Sequence, residues 1–74
     1  MNDERRKLLA EANELIEQAK GLIETARDEE QECFDNLPEG IQSSERGEIM
    51  EQNVSALDEA IDSLDTAMDG ISEL

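Results

Sequence analysis

Residues Met50 to Ile71 read MEQNVSALDEAIDSLDTAMDGI, and the placing of their apolar side chains decides the fold. Met50, Val54, Leu57, Ile61, Leu64, Met68 and Ile71 follow one another at alternating spacings of 4 and 3. That is a heptad seam along one side of an α-helix, whereas a half-buried strand would alternate at every second residue. Ala60, Ala67 and Leu74 widen the seam along one edge. Glu51, Asp58, Asp62, Asp65 and Asp69 form an acidic ladder along the other, with Ser55 filling the one gap and Glu48, Glu59 and Glu73 at its border. Ser43 or Ser44 suits the N-cap, and Glu45 and Glu48 suit the positive end of the helix dipole. A helix over about residues 45–72 follows.

Upstream, Asp35-Asn36-Leu37-Pro38-Glu39-Gly40-Ile41-Gln42-Ser43-Ser44 breaks the period, because Pro38 lacks an amide donor and Gly40 is flexible. Asn36 and Glu39 have the spacing of a capping box, so the turn over about residues 35–44 can hold one short helical turn. Phe34, Leu37 and Ile41 are placed to close the end of the fold.

Before the turn, Leu8, Ala12, Leu15, Ala19, Leu22 and Ala26 form a second heptad seam, with leucine at one core position and alanine at the other. Leu9, Ile16 and Ile23 run beside it. A helix over about residues 3–34 results, starting near Asn2 or Asp3. Its early Arg5-Arg6-Lys7 is unfavourable against the dipole and calls for acidic neighbours, which an antiparallel partner helix would supply from Asp69 and Glu73.

The expected fold is therefore all-α: one domain, residues 1–74, an antiparallel hairpin of two helices each about 45 Å long. Such a hairpin needs one narrow seam per helix. The second columns, Leu9, Ile16 and Ile23 with Ala60 and Ala67, are left for self-association, and a homodimeric four-helix bundle is the expected assembly.

Charge divides the chain. Residues 28–74 hold fifteen carboxylates and one base, Arg46, while residues 1–27 hold six acids and five bases. Most of the net charge of −15 thus belongs to one half. A uniformly acidified, salt-adapted surface would not leave the first half balanced. With a pI near 4.1, one phenylalanine and no tyrosine or tryptophan, the chain repels phosphates and lacks stacking platforms, so direct nucleic-acid binding is not expected. A basic protein partner is.

No catalytic constellation is present. Histidine is absent, and Cys33, which continues the alanine column, is expected as a small buried hydrophobe without a base to activate it. Asp65-Thr66-Ala67-Met68-Asp69-Gly70 resembles the start of a calcium loop but places Ala67 at a ligand position. No cofactor or metal site is expected. The apolar run after Arg5-Arg6-Lys7 is too short for a signal peptide or membrane span, and Cys33 suits a reducing compartment, which together point to the cytoplasm.

The stretch from Asp28 to Glu48, DEEQECFDNLPEGIQSSERGE, together with the acidic heptads that follow, resembles small acidic proteins encoded by phages and prophages of Gram-positive bacteria. The similarity covers about two-thirds of the chain and is most particular at Asn36-Leu37-Pro38-Glu39 and Ser44-Glu45-Arg46-Gly47-Glu48. It implies a mobile-element origin and brings no assigned activity. Small acidic phage proteins often inhibit host or defence machinery, some by imitating DNA. The expectation is a non-enzymatic inhibitor whose Glu48, Glu51, Asp58, Glu59, Asp62, Asp65, Asp69 and Glu73 meet a basic, nucleic-acid-binding groove. The alternatives are a structural adaptor docking through its apolar stripe, or a self-assembling scaffold.

Overall fold

A computed structural model describes residues 1–74 and contains helix α1 (Asp3–Asp35), the single turn α2 (Glu39–Gln42) and helix α3 (Glu45–Ser72), with no strand. The chain is all-α, and α1 and α3 pack against each other. Asn2 caps α1 by accepting the Arg5 amide at 2.9 Å. At the start of α3, Ser44 occupies the cap position, but its hydroxyl donates to the Ile41 carbonyl and caps nothing. The expected Asn36–Glu39 capping box does not form either. Pro38 is the N-cap of α2, and Asn36 is the C-cap of α1, its amide donating to the Glu32 carbonyl at 3.0 Å.

The turn is held by contacts that the heptads do not announce. Gln42 Nε2 donates to the Phe34 carbonyl at 3.1 Å, which also accepts the Leu37 amide at 3.1 Å, so the side chain adds a second bond at the helix end. Gly47, in the first turn of α3, is buried against the backbone of Gln42. Phe34 and Leu37 are half-buried at this end, while Ile41 stays exposed.

The structure places the seam of α3 where the spacing does: Met50, Val54, Leu57, Leu64, Met68 and Ile71 are half-buried and Ile61 is buried. On α1 the two columns exchange roles. Leu8, Leu15 and Leu22 are 65, 59 and 74% exposed, and Ala19, Ala26 and Cys33 are exposed with them. Leu9, Ile16 and Ile23 are half-buried and turn towards α3, alternating with Asn13, Lys20 and Arg27. The expected seam is corrected by one residue, about 100° of helix rotation.

The reason is electrostatic. Asn13 donates to Ser72 at 3.4 Å, Lys20 pairs with Asp65 at 2.8 Å, and Arg27 pairs with Asp58 at 3.0 Å. Each of these three pairs of residue numbers adds to 85, one polar position per heptad on each helix. Docking on the leucine column would leave Asp58 and Asp65 beside no cation. Burial is correspondingly thin. Ile61, 6% exposed, is the whole buried hydrophobic core. The molecule measures 58 × 15 × 12 Å, and its radius of gyration of 17.0 Å exceeds the roughly 11 Å of a compact domain of this length.

Candidate interaction surface

The acidic ladder runs along one long side of α3. Asp62 and Asp69 are exposed, lying four residues beyond Asp58 and Asp65 on the same strip of helix. Glu51 continues the strip, and Glu48, Glu59 and Glu73 are exposed around it. None of Glu51, Asp62 and Asp69 forms an ion pair. Asp58 and Asp65 do, which separates the ladder into two kinds of rung: two that tie α3 to α1 and three that face solvent uncompensated. Along the axis the neighbouring uncompensated rungs Asp62 and Asp69 stand about 10 Å apart, well beyond the ~3.4 Å phosphate rise of a DNA strand. The free carboxylates of α3 therefore do not reproduce the spacing of phosphates along a strand.

Helix α1 adds carboxylates that the one-helix pattern did not anticipate. Lys20 has a raised pKa because it hydrogen-bonds Asp65; burial opposes this, and the charges of Asp65, Glu17 and Glu24 add to it. Arg27 is raised by Asp58 and then by Asp28, whose Oδ1 it reaches at 3.1 Å. Glu17, Glu24 and Asp28 therefore border the same side of the molecule as the ladder. The signal was present in their spacing around Lys20 and Arg27, and it becomes legible only once those two cations are known to face α3. Lys20 and Arg27 lie between two acidic rows.

The basic cluster takes no part in this surface. Arg5, Arg6 and Lys7 form no ion pair with Asp69 or Glu73. In the register fixed by the three cross-helix pairs, residue 11 of α1 is level with residue 74, so the cluster starts beyond the end of α3, and of its three side chains Arg6 lines the end groove with Ile71, Ser72 and Leu74.

The opposite long side is apolar. Glu30 accepts from Asn53 at 2.8 Å on that side, and Ala26, Glu30, Asn53, Ala56 and Leu57 line one shallow groove. Ala26 belongs to the Leu8–Leu15–Leu22 stripe, so this stripe and the Ala56 flank of α3 share a face. Of the residues expected at a dimer contact, Ala60 and Ala67 lie along that flank, whereas Leu9, Ile16 and Ile23 turn into the contact with α3.

No three of the carboxylates and Cys33 are grouped to hold a metal ion, and no helix is long and apolar enough to cross a membrane. Cys33 is exposed rather than buried. Its column is the one that rotated away from α3. Comparison with family models, curated proteins and solved structures finds no match.

Proposed function

We propose that the chain is a non-enzymatic inhibitor of the phage type, an antiparallel helical hairpin that dimerises and presents its acidic side to a basic, nucleic-acid-binding groove of a host or defence protein. One observation carries this reading: Glu51, Asp62 and Asp69 of α3 stand uncompensated on the side of the rod that α1 borders with Glu17, Glu24 and Asp28. Three of the six bases, Arg5, Arg6 and Lys7, are gathered at one end, away from it. Recognition is by field strength. A surface of this kind steers a cationic groove over distances comparable with the Debye length and is weakened by salt. Occupancy of the groove excludes DNA or RNA, and no bond is made or broken.

The exposed leucines favour a second reading, an adaptor that docks through its apolar side and uses its acids for solubility. The two separate in one experiment. Immobilised protein is loaded with a bacterial lysate at low salt, then eluted with rising salt or with duplex DNA. The inhibitor reading expects retained nucleic-acid-binding proteins that both eluants release, and expects the Glu51→Gln, Asp62→Asn, Asp69→Asn triple variant, which leaves every ion pair in place, to lose them. Retention indifferent to salt and DNA, or unchanged in the variant, overturns it.

A further inference from the structure

The stripe that α3 leaves open matches itself. Leu8, Ala12, Leu15, Ala19, Leu22 and Ala26 occupy alternating heptad positions of α1, all of them exposed except Ala12, which is half-buried. Turned end for end against a copy of itself about a two-fold axis near residue 17, this stripe sets Leu8 opposite Ala26, Ala12 opposite Leu22 and Leu15 opposite Ala19. Every leucine meets an alanine, the large-to-small matching that lets two helices approach closely. The same columns continue outward to Arg5 and Glu29, which fall opposite each other and carry opposite charge. Neither has an ion-pair partner within its own chain.

We propose that the occupant of this face is a second copy of the chain, docked α1 against α1 in antiparallel register with Arg5 of each copy paired to Glu29 of the other. The proposal rests on the dimer in the reading above and is independent of what the acidic side binds. The self-match supplies an Arg5–Glu29 ion pair at each end of the face, set against the repulsion between two chains of charge −15. Carried across by the intramolecular register, the axis passes close to Met68 of α3. The neighbouring Ala67 and Gly70 are small and exposed there, so the α3 helices do not obstruct the approach. Glu4 and Glu32 fall near each other at the outer rim, the one like-charged meeting in the arrangement.

Sedimentation equilibrium and thiol cross-linking of the full chain test this. The chain is expected to be a dimer whose dissociation constant rises roughly tenfold or more in Leu15→Glu, with helical circular dichroism preserved because Leu15 is already exposed. Arg5→Glu weakens the dimer, and Arg5→Glu with Glu29→Arg restores it, which a general loss of folding would not do. Gln18→Cys in a Cys33→Ser background is expected to form a self-disulfide on oxidation, since residue 18 sits beside the axis. Native Cys33, about 48 Å from its counterpart in this register, is expected to form none. A monomer at all concentrations, a dimer indifferent to Leu15→Glu, or linkage through Cys33 but not through residue 18 overturns the proposal. If Leu15→Glu is monomeric yet still retains DNA-displaceable proteins from lysate, the docking face stands and the acidic reading stands separately from it.

Discussion

A β-carbon at Gly47 would lie 2.6 Å from the carbonyl carbon of Gln42 and 2.8 Å from its Cα, both backbone atoms that cannot step aside. The φ angle is ordinary, so the requirement is for space and not for an unusual conformation. Gly47 thus lets the first turn of α3 press against the end of α2, and Gln42, seated there, reaches back to the Phe34 carbonyl. Gly47→Ala is expected to destabilise the fold by about 2 kcal/mol through overpacking, read as a lower denaturant midpoint with unchanged slope. Gly21→Ala, where nothing lies within 4 Å, is the control and is expected to stabilise α1 by up to about 1 kcal/mol. The sequence offered no means of telling these glycines apart. Both sit among good helix formers, and only the path of the neighbouring backbone distinguishes them.

Between elements, the heptads of α3 were legible because its seven seam positions are all apolar, leaving no rival stripe. Helix α1 carries two stripes one residue apart. By hydrophobicity alone the purely apolar Leu8–Ala12–Leu15 stripe wins over one interrupted by Asn13, Lys20 and Arg27. The pairing partners decide otherwise, since Asp58 and Asp65 flank the α3 seam at heptad spacing and Lys20 and Arg27 are the cations that can answer them. Asn13 belongs to the same polar column. Its Oδ1 is enclosed without a partner, a cost that polar seam positions bear in return for a fixed register. Adjacent residues then give opposite results. Ile23→Ala is expected to lower stability by about 2 kcal/mol, near the small end for loss of a buried branched side chain because Ile23 is only half-buried. Leu22→Ala, measured on dilute protein where copies do not meet, is expected to change it by under about 0.5 kcal/mol. Equal effects would return the seam to the leucine column. The acidic ladder of α3 was likewise readable as a row, but its division into tethered and free rungs depended on which side of α1 the cations took.

At the scale of the whole molecule, the chain exposes 5516 Å², against about 4,600 Å² for a compact protein of its mass. A rod with one buried hydrophobic residue and a charge of −15 is held together weakly and pushes against itself. Raising sodium chloride from about 0.05 M to about 0.5 M shortens the Debye length from roughly 14 Å to roughly 4 Å. The expected result is a gain of about 1 kcal/mol or roughly 5 °C in melting temperature, larger than the loss from screening three exposed ion pairs. Thermal scans at fixed protein concentration check this. A fall in melting temperature with salt would mean that the cross-helix pairs, and not self-repulsion, dominate the electrostatics.

The apolar and acidic flanks of the rod point in opposite directions. Joining two rods back to back on the leucines therefore leaves their carboxylates looking outward on both exteriors. On the dimer and the acidic recognition proposed above, the resulting object would be bivalent: it would hold two targets at once, or grip one that offers paired sites. Its grip then scales with the geometry between those sites as well as with the strength of either contact.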